Sequence, residues 1–278
     1  MIEVPIHVPR SAFTPREVAR AGDLWRAFQE VAVLGSTAVG WPPERYRAAG
    51  VNFMMRRMVV RHDREVVYGE ALTGQTWPRL IRRGTLFHRE CRLKLGAQPL
   101  AAASQEWVHI GTVDGAYRAL RSAPELEASF AAEDHGGPVG LPSFDARRGP
   151  EHAFTFTSWE TWADPLGHVN HPVYVDWADE GLARVLRAAP GGPVDPVALV
   201  AVAEEVRFRG GVGPGDAVRV TTRLAGVTGE GHAVTEHAVQ GPGGALAAKA
   251  TLVRSLPEDE GRLEAALTRG PDRASGAG

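Results

Sequence analysis

The run Trp162-Ala163-Asp164-Pro165-Leu166-Gly167-His168-Val169-Asn170-His171-Pro172-Val173-Tyr174-Val175-Asp176-Trp177 sets an acid, a turn glycine, a histidine and an amide just ahead of an apolar-periodic segment. From Val173 the apolar positions continue through Trp177, Gly181 or Leu182, Val185 and Leu186, the period of a helix with one buried face. Pro172 suits the first turn of that helix, where its missing N–H removes little. Free N–H groups and the positive dipole end at a helix start favour a partial negative charge, such as a polarised carbonyl oxygen or the Asp164 carboxylate. The polar residues of the run are therefore expected to gather where this helix begins.

Working outward, the segment before the run, His152 to Thr161, reads as a strand. Those after it read as strands at about Val200 to Arg209, Ala217 to Leu224, His232 to Gln240 and Ala245 to Ser255. The first half has the same order. Ile2 to Val8 alternates as a strand, and Thr14-Pro15-Arg16-Glu17 has the form of a helix start, with a hydroxyl cap, an early proline and a glutamate able to reach back. Leu24, Phe28, Val31 and Gly35 lie on one helical face, and Trp41-Pro42-Pro43 ends it. Four strand-like runs follow, Val51 to His62, Glu65 to Trp77, Thr85 to Leu95 and Leu100 to Ile110.

Two matches fall at one offset. Gly69-Glu70-Ala71-Leu72 with Thr76 aligns with Gly215-Asp216-Ala217-Val218 with Thr222, and Leu100-Ala101-Ala102 aligns with Leu246-Ala247-Ala248, each at about 146 residues. The chain thus reads as an α+β protein in which one long helix wrapped by an antiparallel sheet occurs twice. The same shift places Val18, Gly22 and Leu24 opposite Asp164, His168 and Asn170, so one site is expected per chain, in the second copy. The expected boundaries are a first copy at 1–130, a linker at 131–151 rich in Gly, Pro and charge, a second copy at 152–256, and a flexible tail at 257–278.

Composition narrows the possibilities. The 278 residues are 44% hydrophobic, enough for two ordinary cores. With 31 basic against 33 acidic residues, nothing points to nucleic acid or to anionic lipid. The start, Met1-Ile2-Glu3-Val4-Pro5-Ile6-His7, lacks the basic flank and apolar run of a secretion signal, and no stretch is long enough to span a bilayer. One cysteine, Cys91, excludes an internal disulfide framework and fits a reducing compartment. A cytoplasmic protein, monomeric or homodimeric, is expected.

Asp164-Pro165-Leu166-Gly167-His168-Val169-Asn170-His171-Pro172-Val173-Tyr174 resembles the acid-x-x-Gly-His-Val-Asn-Asn-x-x-Tyr signature of hotdog thioesterases, the 4-hydroxybenzoyl-CoA thioesterase-like superfamily. Phe53-Met54-Met55-Arg56-Arg57-Met58-Val59-Val60, Tyr68-Gly69-Glu70, Thr76-Trp77-Pro78 and Ala103-Ser104-Gln105-Glu106-Trp107-Val108 look like successive strands of the acyl-ACP thioesterase family, plant-type and bacterial. The resemblance runs to about Ser255 and implies a tandem (double) hotdog that hydrolyses a fatty acyl thioester of acyl carrier protein or coenzyme A, without cofactor. It implies Asp164 as catalytic carboxylate, with His168 and Asn170 holding water or the thioester. His171, Tyr174, Phe53 and Met55 would then contact substrate. The pattern departs from plant-type members: Leu166 and His171 stand where asparagines are usual, and Phe208-Arg209-Gly210-Gly211 where an acid and a cysteine normally follow.

Read as chemistry, Asp164 acts either as general base on water or as nucleophile, or it merely caps a turn, as Asp before Pro commonly does. His168 and Asn170 have equally plain readings as a hydrogen-bonded turn histidine and a helix cap. Asp164, His168 and His171 could meet a zinc ion, but no cysteine cluster or fourth ligand accompanies them, so no metal is expected. Glu204 and Glu205 read as a solvated pair, Cys91 as a buried small side chain. Arg79, Arg82 and Arg83 form a basic turn that could meet an acidic carrier or a phosphate. A hydratase on this fold uses an Asp-x-Asn-Pro-x-His loop, with a different spacing. A noncatalytic acyl-binding protein is the alternative of another class.

Overall fold

The computed structural model describes residues 1–113, 116–189, 193–257 and 260–268. The chain divides into two compact units, Met1–Gly140 and Leu141–Gly278.

In unit 1, β1 (Ile2–Ile6) precedes α1 (Ala21–Ala38), the short α2 (Pro43–Ala48), and then β2 (Val51–His62), β3 (Leu72–Arg82), β4 (Leu86–Leu95), β5 (Gln98–Val113) and β6 (Ala116–Ala119), followed by α3 (Pro124–Ser129). The antiparallel order is β1-β3-β4-β5-β2, with β6 added to β5. Helix α1 packs on β1, β3 and β4, and its Leu24, Phe28, Val31 and Gly35 are buried as the apolar period requires. The second strand of the Val51 to Val113 region starts at Leu72, not Glu65. Residues 65–71 form a turn in which Glu70 accepts from the Val67 N–H and holds Arg64, so their polar groups are satisfied without a ladder.

Thr14-Pro15-Arg16-Glu17 does not open a helix. Thr14 Oγ1 accepts from the Arg16 N–H at 3.2 Å, Glu17 N–H donates to the Thr14 carbonyl, and Phe13 bridges to Ala19. Glu17 takes φ 59, a left-handed conformation that a helix cannot continue through. The capping chemistry is present, but it closes a tight turn, and α1 starts at Ala21.

Unit 2 contains β7 (Phe144–Ala146), β8 (His152–Thr157), α4 (Val173–Arg187), β9 (Val200–Phe208), β10 (Ala217–Thr228), β11 (Ala233–Gln240), β12 (Leu246–Ser255) and α5 (Glu260–Thr268). Its order, β8-β10-β11-β12-β9, repeats the order of unit 1, and β7 also pairs with β10. Two expectations are corrected here. The stretch 131–151 contains a strand, because residues 144–146 find a free edge on β10. The tail expected from 257 includes helix α5, whose Leu263, Ala266 and Leu267 are buried against Leu182, Val185 and Leu186 of α4. Three apolar side chains in one short segment gave too faint a period to see. The remainder of that tail, 269–278, lies outside the described residues. Among the described residues no helix is long and apolar enough to cross a membrane.

Candidate active site

A 3-10 turn at Glu160–Trp162 leads into a closed loop: Ala163 bridges to Val169, the Asp164 N–H donates to the His168 carbonyl at 2.8 Å, and the Gly167 N–H donates to the Asp164 carbonyl at 2.9 Å. Gly167 has φ 76, which only glycine adopts without strain, and this reverses the chain. The Asn170 N–H then donates to the Trp162 carbonyl at 2.9 Å, and the Val169 N–H to the Val212 carbonyl at 2.8 Å, fastening the loop to the segment after β9.

Asp164 is half-buried. Its Oδ1 accepts from the Leu166 N–H at 2.8 Å, so the carboxylate does cap its own turn. That bond also fixes its rotamer, and among the described residues no hydrogen bond engages Oδ2. His168 lies over Gly211: a Cβ there would stand 2.5 Å from His168 Cδ2, so the glycine is what admits the imidazole. Asn170 is half-buried and its carbonyl accepts from the Val173 N–H.

His171 is buried with its ring edge-on to Phe208, centroids 6.2 Å apart. Tyr174, also buried, packs edge-on against Phe208 at 5.2 Å, and its hydroxyl accepts from the Val212 N–H at 3.1 Å. Burial raises the Tyr174 phenol to about 12, opposed by the Val212 bond and assisted by the charges of Asp164 and Asp216, so it stays a neutral hydroxyl. Asp164, His168, Asn170, His171 and Tyr174 thus gather around one loop and the foot of α4. Phe53 and Met55 belong to unit 1, where Phe53 packs with Tyr46, Phe87 and Phe130, and Met55 is buried on β2.

One physical expectation fails. The N–H groups at the start of α4 are not free: those of Val173, Tyr174 and Val175 donate to the carbonyls of Asn170, His171 and Pro172. Pro172 already has helical dihedrals, so the helical turn begins before the named helix and uses up its donors. The dipole still points its positive end at the loop.

The acids on β9 also differ from expectation. Glu204 is fully buried and accepts from Arg254 of β12, which is bonded through Nε and Nη2 to Asp179 of α4 at 3.1 and 2.9 Å. Glu205 is buried too and paired with Arg207. Strand alternation alone could not show this, because the charge that pairs with Glu204 comes from another strand. Cys91 is buried and burial raises its thiol to about 11, which leaves it inert at neutral pH. Arg79 is held by Glu90 at 3.0 Å, while Arg82 and Arg83 are exposed. Among the described residues no three His, Cys, Asp or Glu side chains are grouped to hold a metal ion.

Comparison with known proteins now has a geometry to attach to. Residues 158–255 match the thioesterase-like superfamily. That span runs from just before the Asp164 loop to the end of β12. Among solved structures, the chain is similar to a protein assigned as an oleoyl thioesterase from Lactobacillus plantarum, with a TM-score of 0.75, 19% identity, and 92% of this chain and 95% of that one covered. An acyl-ACP thioesterase from Bacteroides thetaiotaomicron gives 0.70 at 14% identity, covering 91% and 97%. The 12:0-ACP thioesterase of Umbellularia californica gives 0.67 at 14% identity, covering 91% and 96%. No curated protein matches the chain. The fold is the hotdog fold of these thioesterases.

Proposed function

We propose that this chain is a thioester hydrolase acting on fatty acyl groups carried by acyl carrier protein, releasing the free acid and the thiol. Coenzyme A is the alternative carrier. The reading rests above all on the Asp164 loop, which fixes one carboxylate oxygen on its own turn and leaves the other for water or a thioester carbon, within a span that matches the superfamily.

In the general-base form, Asp164 Oδ2 takes a proton from water as the water oxygen attacks the carbonyl carbon. The tetrahedral intermediate then expels the thiolate, which is protonated to the thiol. In the nucleophilic form, Oδ2 attacks the carbon itself, an anhydride forms as the thiolate leaves, and water cleaves it. A thiolate is a good leaving group, so neither route needs a strong acid. His168 and Asn170 are assigned to positioning water or the thioester, with His171 and Tyr174 shaping the floor below. The carbonyl oxygen would gain from the positive end of the α4 dipole, not from unused N–H groups of its first turn.

The two units are proposed to be tandem copies of one hotdog, 1–130 serving as the acyl-pocket half with Phe53 and Met55 in its wall, 131–151 as connector, and 152–256 as the catalytic half. The shared strand order supports this, and so do matched turns. Thr14, Val18 and Arg20 make the hydrogen bonds that Asp164, His168 and Asn170 make, at an offset of about 150 residues and not 146. Thr14 in place of Asp164 leaves the first copy without a carboxylate.

The test is thiol release from a panel of acyl-carrier-protein and acyl-coenzyme A substrates of several chain lengths. Wild type is expected to turn over the former preferentially. A protein that binds these substrates without releasing thiol would instead be a noncatalytic acyl-binding hotdog.

A further inference from the structure

Among its described residues, unit 1 buries a guanidinium with no carboxylate to neutralise it. Arg89 stands on β4 between Phe87 and Cys91 and is 7% exposed. Its Nη1 donates to Thr76 Oγ1 at 3.1 Å and its Nη2 to Ser36 Oγ at 3.4 Å, and its carbon lies 5.3 Å from the Phe130 ring centroid. All three partners are neutral, and no Asp or Glu among the described residues pairs with it. The adjacent Glu90 is taken by Arg79, Arg92 and Ser104. Beside Arg89 sits the Tyr46 hydroxyl, buried, with Ser36 as its polar neighbour but with no hydrogen bond of good geometry. A buried cation without a countercharge and a buried hydroxyl so weakly engaged carry a desolvation penalty that these contacts leave partly unmet. The last turn of α1, where Ser36 lies, offers the negative end of a dipole, about half a charge. That offsets only part of the deficit.

Unit 2 provides an internal control. Thr76 pairs with Cys91 across β3 and β4 as Thr222 pairs with His237 across β10 and β11, and Gly35 and Gly181 let the helices approach the two threonines in the same way. Thr235 stands where Arg89 does, and Thr222, Thr235 and His237 satisfy one another at 2.9 and 2.8 Å with no cation among them, while the nearby Arg254 is neutralised by Asp179 and Glu204. The fold therefore does not require a charge at this position. Arg89 is an addition peculiar to unit 1.

We propose that Arg89, Tyr46 and Ser36 form a carboxylate-binding subsite inside unit 1, under the aromatic cluster of Phe53, Phe87 and Phe130, for a carboxylate borne on an apolar body. The guanidinium fork and the phenol O–H are the donors, and the aromatic rings form the wall for the apolar part. The carboxylate is either a free fatty acid or the distal group of a dicarboxylic half-thioester. The subsite does not depend on the thioester reading, because occupancy is measured without turnover.

Calorimetric titration of the full chain with decanoate, decanedioate and decanol tests it. Wild type is expected to bind both carboxylates more tightly than decanol. Arg89→Met should weaken decanoate roughly 10- to 100-fold, the range for hydrogen bonds to a charged group, with decanol unchanged. Tyr46→Phe, which removes a hydroxyl engaged at most weakly by Ser36 in the unliganded protein, should fold normally and weaken decanoate about 3- to 10-fold, and it carries the test if Arg89→Met does not fold. Equal affinity for decanol and decanoate, or carboxylate binding that survives both substitutions, overturns the proposal. A preference in kcat/KM for the decanedioyl half-thioester over the decanoyl thioester that vanishes in Arg89→Met assigns the distal carboxylate. Arg89-dependent inhibition by decanoate without that preference assigns the free acid.

Discussion

A single substitution at Gly211 separates the roles of fold and site at the scale of the residue. Gly211→Ala would place a methyl 2.5 Å from the His168 ring, yet Gly211 itself is exposed. The imidazole must swing away while the core is untouched, so thiol release is expected to fall about tenfold or more, with the melting temperature within about 3 °C of wild type. Unchanged activity would show that His168 takes no part. Tyr174→Phe has the converse signature: it leaves the buried Val212 N–H unsatisfied, a loss of about 1–3 kcal/mol readable by denaturant titration. The residues of this loop were legible because acid, glycine, histidine and amide fall within seven positions. Glu204 was not, since what makes it a buried ion partner is Arg254, fifty positions away on another strand.

At the scale of the element, α4 is tied to its sheet by charge as well as by apolar packing. Arg254 is 4% exposed by side chain and Glu204 0%. Arg254→Met would deprive both Glu204 and Asp179 of their shared guanidinium, and a loss of about 3–5 kcal/mol is expected, recovered in part when Glu204 is also replaced by Leu. The β10–β11 ladder carries a pH dependence of its own. Burial, reinforced by the Arg254 charge, holds the His237 imidazole down to about 3, below its value in an unfolded chain. The unfolded state therefore takes up a proton that the folded state refuses. Stability from this group is complete above the ordinary histidine range and is lost as pH falls from there toward 3. Melting temperature measured between pH 7 and 4 should decline, and His237→Gln should flatten the decline. Helices α1 and α4 were readable from their buried stripes, and most strands of the two units from their alternating runs. The turn at Thr14 was misread because a capping threonine and an early proline serve a tight turn as well as a helix. Its match to the Asp164 turn in hydrogen bonding was obscured because unit 1 has a few more residues between loop and sheet than unit 2, which shifts the offset from about 146 to about 150.

For the whole molecule, the C-terminal helix is part of the fold and not an appendage. Truncation after Leu256 would uncover the face of α4 formed by Leu182, Val185 and Leu186, and remove the burial of Leu263 and Leu267, each worth about 2 kcal/mol. A fall of roughly 5 °C or more in melting temperature is expected, together with binding of a hydrophobic dye. An unchanged melting curve would mean that α5 contributes no packing. The central claim concerns chemistry, and thiol release from acyl-carrier-protein thioesters by wild type and Asp164→Asn measures it most directly. The amide keeps the cap to Leu166 but can neither take a proton nor attack a thioester, so a loss of about 10²–10⁴-fold in kcat with unchanged folding is predicted. Thiol release by Asp164→Asn at the wild-type rate would contradict the account.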